Sequence, residues 1–534
     1  MTKKIHLVFK THLDIGFTDH AAKVRAQYHD RFIPQAIETG EHFFAEDPTE
    51  PKFIWTTGAW LIWDHLNSQS PERVRRLEQA IERGLIRWHA LPFTTHSELM
   101  SPSLFRAGLS FSVELDKRFG KTTSAAKMTD VPGHTLGIVP LLAEAGVQFL
   151  HLGVNSASPP PDVPDLFRWR APDGSEVVVM YQNSYGATHF PSGFEEGLSF
   201  AHTADNIGPQ SVPQTADAYR LLRHLEPGAS IRASTLDEYG ALLWTRREEF
   251  PVVDIELGDS WIHGSASDPE KLARFLALQR LYDEFVCEAL TPRRLAFGRG
   301  LTLVAEHTWG VDIKSYLRDE TAWDRAAFEA ARQSDARFAY SEASWTEQRV
   351  YLDTAMAELD TADLVRAREP LGALDTSQQF GDDLAGWQIE RDPSTGDIVT
   401  LSSPNGAVLR GDDGSLLGVR YESYDARDVA AHMDGYLTQR EEWALLDHGK
   451  PGLDWARTAR SEPFKPHADN GILIFDPDAH QLLGAPRLVE LRFKPIDGQR
   501  IEASVVLHDK PANRMPEATF VTFTPAGVSG WEFE

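Results

Sequence analysis

The first 265 residues alternate short β-branched runs with helical stretches, and this alternation constrains the fold more than any other feature of the chain. Strand patterns fall at 5–9, 53–56, 86–91, 124–129, 149–152, 177–181, 230–233 and 252–257, with helical spacing at 71–83, 104–119 and 215–225. Strands separated by helices pair in parallel, because each crossover returns the chain in the same sense. The expectation is an α/β fold whose first domain, 1–266, is a seven- to eight-stranded parallel (β/α) barrel-like unit; a doubly wound sheet satisfies the same pattern. In both, ligands gather beyond the carboxyl ends of the strands.

The periodicity changes at Asp268-Pro269, where an Asp cap and a first-turn Pro announce a helix. Leu272, Phe275, Leu276, Leu278, Leu281, Tyr282, Phe285 and Val286 follow at helical spacing, and further helical patterns cover 319–340 and 342–359. This predicts a three-helix bundle over 267–375. From about Gly386 onward, turn signals such as Asn405-Gly406 separate short alternating runs, and 488–493 with 501–507 reads as a hairpin. A β-sandwich-like region over 376–534 is expected. The last residues, Ser529 to Glu534, carry no tail, which fits a shortened or minimal β-domain.

A length of 534 residues calls for several domains. The net charge of −26 argues against nucleic acid and anionic membranes as partners and suits neutral ligands. The sequence holds no apolar run of membrane-spanning length. Met1-Thr2-Lys3-Lys4 runs into the first strand instead of a leader, and the one cysteine, Cys287, fits a reducing cytoplasm. Cys287 sits in a helical pattern and reads as a packed core thiol. The oligomeric state is not deducible from sequence.

Three segments carry chemistry. Thr11-His12-Leu13-Asp14 follows the first strand, so an imidazole and a carboxylate two residues apart share a face, a pair suited to a divalent metal. The tripeptide recurs at His432-Met433-Asp434 and His467-Ala468-Asp469; only the first lies at a strand end among the parallel strands. Thr129-Asp130-Val131-Pro132-Gly133-His134 is a tight turn after the 124–129 strand, and Gly258-Asp259-Ser260-Trp261-Ile262-His263-Gly264 follows the 252–257 strand.

Together, His12, Asp14, Asp130 and His263 resemble the zinc site of glycoside hydrolase family 38, the retaining α-mannosidases. The order of motifs and the helical region that follows are similar over most of 1–375. The resemblance implies one zinc or other divalent cation per chain, a carbohydrate substrate, and Asp130 as nucleophile. Ala204-Asp205-Asn206-Ile207-Gly208 looks like the family's acid/base loop, which makes Asp205 the general acid/base. Glu306-His307-Thr308-Trp309-Gly310-Val311-Asp312 stands where the family has a Gln-His-His-Asp-type motif, so His307, Trp309 and Asp312 are expected at the rim as substrate-binding residues. Phe17, Trp55, Glu98 and His134 complete the expected substrate set. Departures are clear: Lys10 and Phe17 replace a His and a Trp in the first motif, and Val131-Pro132 replaces an aromatic turn. They put mannose specificity in question, and the chain is about half the usual length. The function implied is a metal-dependent retaining glycosidase acting through a covalent glycosyl-Asp intermediate. A carbohydrate deacetylase-like metal hydrolase and an inactive carbohydrate-binding protein are the alternatives.

Overall fold

Apolar side chains on both faces of the run Lys4–Thr11 suit a strand covered on both sides, and this run is the buried centre of the N-terminal sheet. The computed structural model describes residues 3–372, 384–469 and 472–527, excepting the side chains of His263 and Ala266. The expected boundary at 375/376 and the terminus Ser529–Glu534 lie outside the described residues.

The protein divides into two compact units, Met1–Tyr316 with Ser341–Leu374 and Leu317–Tyr340 with Asp375–Glu534. The first unit is mixed α/β. Its strands are β1 (Lys4–Thr11), β2 (Trp55–Gly58), β3 (Ile86–His89), β4 (Ala125–Asp130), β5 (Phe149–Val154), β6 (Leu166–Arg170), β7 (Glu176–Gln182), β8 (Glu196–Thr203), β9 (Ser230–Ala233) and β10 (Val252–Val253). One sheet runs β3-β2-β1-β8, with β9 also on β1, and is parallel throughout. The other runs β10-β6-β7-β5-β4 and is parallel except where β6 meets β7. The two join where Ala90 N–H donates to the Ala125 carbonyl at 3.0 Å, giving a half-barrel rather than one continuous ladder.

The helices between the strands carry the signals the sequence shows. Ser70 caps Pro71–Glu82 and Ser101 caps Pro102–Phe119, and Gly120 ends the latter in the left-handed conformation at φ 61°. The core holds Phe9, Phe53, Trp55, Ile86 and Trp88 against Ile33, Ile37 and Leu61. Trp55 is fully buried, so truncating it to Ala costs about 3–5 kcal/mol.

Sequence and structure part company in several places. β6 and β8 were not anticipated. β8 pairs with all of β1 from Lys4 to Thr11, so the segment Phe200–Thr203 is strand and only its end is loop. The expected strand 252–257 shrinks to Val252–Val253. In the helical region, Pro269–Glu288, Pro292–Thr302 and Thr361–Gly372 are helices, but the pattern at 319–340 breaks into Arg325–Ser334 and the start of Ala336–Ala357. Cys287 is exposed, contrary to expectation. The buried face of its helix is Phe275, Leu278, Leu281, Tyr282 and Phe285, and a residue two past Phe285 points away from that face.

Among the described residues, the second unit has two antiparallel sheets, one of six strands and one of four. Leu488–Pro495 pairs with Ile501–His508, as the alternating runs predict. Its core is Ile398, Val419, Tyr421, Leu473, Val489 and Leu491. The two later His-x-Asp tripeptides lie in this unit, on the helix Ala426–Tyr436 and the strand His467–Asp469. Among the described residues, no helix is long and apolar enough to cross a membrane.

Candidate metal centre and active site

The carboxyl ends of β1, β4 and β8 lie together in the first unit, and each carries one part of the site. β1 delivers His12 and Asp14, which are 1% and 2% exposed. Asp130 ends β4 with φ at 82°, in a three-residue turn closed by Val131 N–H to the Thr129 carbonyl at 3.1 Å. A non-glycine residue held there is strained, and such strain is typical of functional positions. Gly133 lets this turn pass tightly under the chain at Leu257, since a Cβ there would fall 2.0 Å from the Leu257 carbonyl oxygen.

The fourth component is His307. The helix Pro292–Thr302 and the turn Leu303–Ala305 bury Leu301, Val304 and Ala305, which drives the following residues back onto the strand ends. His96 N–H donates to the Ala305 carbonyl and His307 N–H to the Thr94 carbonyl, locking the segment beside β3.

His12 Nε2 lies 3.1 Å from Asp14 Oδ1 and 3.9 Å from Asp130 Oδ2. His307 Nε2 lies 3.1 Å and 3.6 Å from the same two oxygens. None of these contacts is aligned as a hydrogen bond, and His12 Nε2, His307 Nε2 and Asp14 Oδ2 are buried without a hydrogen-bond partner among the described residues. Separations of this size suit neighbouring ligands of one cation, because bonds of about 2.0–2.2 Å put tetrahedral ligands ~3.4 Å apart. His12, Asp130 and His307 also form a group compatible with a metal ion, as do His12, Asp14 and Asp205. The residues therefore fit a divalent cation. The outer contacts fit as well: His307 Nδ1–H donates to Glu306 Oε1 at 2.7 Å, which fixes the tautomer that leaves Nε2 free.

Without an ion the charges press on one another. Burial would lower the pKa of both imidazoles, but Asp14 raises that of His12, and Glu306 with Asp130 and Asp14 lifts that of His307 well above its usual range. Burial opposes ionisation of Asp14 and Asp130, yet the histidines hold both carboxyls below the ordinary value. Asp205 goes the other way. Burial, reinforced by the charges of Asp14 and Asp130, pushes it up to about 6.

Asp130 divides its oxygens. Oδ2 faces the histidines, while Oδ1 accepts from the Tyr185 hydroxyl at 2.7 Å and from Asn155 Nδ2 at 3.2 Å. The same hydroxyl lies 3.4 Å from Asp205 Oδ1. One hydroxyl reaching both carboxylates keeps them closer than the ~6.5 Å at which inverting spacing begins. Asn206, at φ 51°, ties the Asp205 loop to the first motif. Its Oδ1 accepts from Asp14 N–H and the Tyr28 hydroxyl, and its Nδ2 donates to the Asp14 and Gly16 carbonyls. Tyr185, Asn155, Asn206 and Glu306 were not singled out from sequence. Only Asn206 and Glu306 had a signal, as neighbours of Asp205 and His307.

The other expected site residues are distributed unevenly. Trp55 is fully buried with Nε1 on Thr11 Oγ1 at 3.3 Å, so it offers no face to a sugar and the stacking expectation is corrected to a core role. His134 is 1% exposed, with burial pushing its pKa down to about 3, and Nδ1 beside Ser97 Oγ at 3.2 Å. It joins the Asp130 turn to Leu257 through two backbone hydrogen bonds. Phe17, at φ 59°, pairs through its backbone with Gly310 and Asp312. The Asp312 carboxylate accepts from Lys314 N–H and Ser315 Oγ, so it caps the short helix Ile313–Tyr316. Trp309 is half-buried, with Nε1 on His96 Nε2 at 3.2 Å and Lys271 Nζ 4.4 Å from its ring centre. Glu98 is exposed and accepts from Ser260 Oγ. His263 lies on the turn Ile262–Ser267, but its side chain is outside the described residues. His307, expected at the rim, lies instead beside Asp14 and Asp130.

Residues 2–232 match the family described as the Glycosyl hydrolases family 38 N-terminal domain. Residues 265–497 match a domain of unknown function (DUF5054). No curated protein matches the sequence. Among solved structures, an alpha-mannosidase from Enterococcus faecalis V583 is similar over 100% of this chain and 57% of its own, at 10% identity and a TM-score of 0.45. A second Enterococcus faecalis protein, in the Glycosyl Hydrolase Family 38, is similar over 100% of this chain and 55% of its own, at 12% identity and a TM-score of 0.40. A 4-alpha-glucanotransferase from Thermococcus litoralis covers 94% of this chain and 84% of its own, at 11% identity and a TM-score of 0.37. This chain thus spans little more than half the length of the two Enterococcus faecalis chains. The family match is confined to residues 2–232, the segment that carries His12, Asp14, Asp130 and Asp205, and it is this segment that is similar to the family 38 N-terminal domain.

Proposed function

We propose that the protein is a metal-dependent retaining glycoside hydrolase, α-mannosidase-like, built on a (β/α) barrel-like catalytic unit. The observation that supports the reading is the approach of His12 Nε2 and His307 Nε2, both buried and without a hydrogen-bond partner among the described residues, to Asp14 Oδ1 and to the inner oxygen of Asp130. His12, Asp14, Asp130 and His307 would hold the cation, with zinc the expected ion. When bound, the cation supplies positive charge that binds sugar hydroxyls and steadies the distorted ring.

The chain's own residues do the rest. Asp130 Oδ1, on the side shared with Asp205, attacks the anomeric carbon. Asp205 gives its proton to the glycosidic oxygen as that bond breaks, and its raised pKa keeps the proton in place beforehand. The product is a glycosyl ester of Asp130 and a free alcohol. Asp205, now ionised, takes a proton from water, the water oxygen attacks the same carbon, and the Asp130 ester bond breaks. Two inversions give net retention. The substrate is a carbohydrate, and the half-buried Trp309 and Phe17 offer aromatic rings to its apolar faces.

The test is a panel of aryl α-glycosides with and without added zinc, with the first-formed anomer read by proton NMR. The proposal expects zinc-dependent release with retained configuration. Release of acetate from acetylated sugars without glycoside cleavage would favour a deacetylase instead.

A further inference from the structure

The loop that carries Asp205 is held from outside. Asn206 takes φ 51° and Gly208 φ 93°. A non-glycine residue keeps such a conformation only where neighbouring groups impose it. Two of those groups come from one short segment, Tyr28–Phe32, a π-helical turn between the helices Ala21–Gln27 and Ile33–Glu46. The buried Tyr28 hydroxyl lies 3.0 Å from Asn206 Oδ1 and 3.2 Å from the His12 carbonyl. The same carbonyl accepts from Asn206 N–H at 3.0 Å. One turn on, the Phe32 ring packs so closely on the loop that a Cβ at Gly208 would fall 2.4 Å from it. Tyr28 and Phe32 meet edge to face, with ring centres 5.1 Å apart.

The turn is itself anchored. π-helical turns are rare and concentrate at functional sites. Here Tyr28, His29 and Phe32 are all buried. His29 Nε2 lies 2.9 Å from Asp64 Oδ2, and the same oxygen accepts from Arg25 Nε at 2.6 Å. Asp64 belongs to the helix Ala59–Ser68, so this charged pair ties the π turn to a second helix and presents the Tyr28 hydroxyl from a fixed frame.

We propose that Tyr28 is a positioning residue for the general acid, and that its hydroxyl sets where the Asp205 carboxyl stands relative to Asp130 and the His12–Asp14 motif. The inference rests on the glycosidase reading, with Asp205 as the acid. Asn206 directly follows Asp205, so a shift of its amide passes to the Asp205 carboxyl through one peptide unit. Protonation of the glycosidic oxygen requires that carboxyl within hydrogen-bond reach, and a displacement of about 1 Å costs on the order of 10²-fold in rate. The nucleophile is held by other groups, Tyr185 and Asn155 on Asp130 Oδ1. Loss of the Tyr28 hydroxyl therefore falls on departure of the leaving group and spares attack by Asp130.

Tyr28→Phe removes that hydroxyl alone. It strands no buried partner, because Asn206 Oδ1 keeps the Asp14 N–H and the His12 carbonyl keeps the Asn206 N–H. The experiment compares kcat/KM of zinc-loaded wild type, Tyr28→Phe, Asp205→Ala and the double variant on aryl glycosides of graded leaving-group pKa. The expected loss in Tyr28→Phe is about 10–100-fold on the poorest leaving groups, with values near wild type on the best. Adding Tyr28→Phe to Asp205→Ala should cost nothing further, because both act on one step. No loss, a loss equal across the series, or one that adds in full to that of Asp205→Ala in an active wild-type background overturns the positioning role and leaves the glycosidase reading standing. A wild type that turns over none of the substrates overturns both. If Tyr28→Phe does not fold, Asn206→Gly takes its place in the same cycle, since glycine accepts the positive φ and removes the amide that Tyr28 meets.

Discussion

Glu306→Gln is the most informative single change at the metal centre, because it keeps the shape of the side chain and removes only its charge and one acceptor. Glu306 is 2% exposed and uses both oxygens. Oε1 accepts from His307 Nδ1 at 2.7 Å, and Oε2 accepts from Thr308 N–H at 3.2 Å and from Thr308 Oγ1 at 2.5 Å. A glutamine must turn its NH2 toward one of these N–H donors, so either the His307 ring loses its anchor or a backbone N–H is left facing another donor. Partners of this kind hold a ligand's tautomer and raise its basicity, and their loss weakens metal binding about 10–100-fold, or roughly 1.4–2.7 kcal/mol. The assay is competition for zinc with a chromophoric chelator at fixed pH, with circular dichroism to confirm folding. Glu98→Gln, an exposed site, is the control and should leave affinity unchanged. Equal affinity in Glu306→Gln and wild type, in a folded protein, would refute the assignment of His307 as a ligand held by Glu306.

Other outcomes follow from the same geometry. Asp205→Ala should keep its metal, lower kcat/KM by about 10²–10⁴-fold for substrates with poor leaving groups and leave kcat/KM near wild type for activated aryl glycosides; equal loss of kcat/KM in both classes would contradict its role as acid. Asp130→Ala should remove turnover and also weaken metal binding, checked by kinetics alongside metal analysis. Trp55→Ala should destabilise the first unit by about 3–5 kcal/mol in denaturant titration. Its loss should leave KM unchanged wherever the variant still folds. Burial beside His29 lowers the pKa of His65 from 6.5 to about 4. A base with a depressed folded pKa contributes its full stability above pH 6.5 and loses it as pH falls toward 4, so wild type should lose more of its thermal midpoint across that window than His65→Gln.

Much of the site's chemistry was legible because it follows strands. The run 5–9 is apolar on both faces, so His12 and Asp14 had to emerge at a strand end, and the same logic reached Asp130. His307 was expected at the rim and lies beside Asp14 and Asp130 for a physical reason. It is brought in by a helix and a turn packing through Leu301, Val304 and Ala305, a tertiary event with no period of its own in sequence. β8 was missed because Glu196–Thr203 mixes Gly, Ser, Ala and His, and pairing along all of β1 overrides that weak strand propensity. Trp55 looked like a stacking residue because strand position alone does not reveal that its ring is closed off inside the core. Tyr185, which reaches both carboxylates, sits in a loop that no motif marks.

The direct test of the centre is metal stoichiometry by mass spectrometry on folded wild type, His12→Ala, Asp14→Ala and His307→Ala, each dialysed against the same trace of zinc. One ion per chain in wild type, and loss of that ion in each variant, is the predicted result. A His307→Ala protein that keeps a full equivalent, or a wild type that never binds one, would contradict the account.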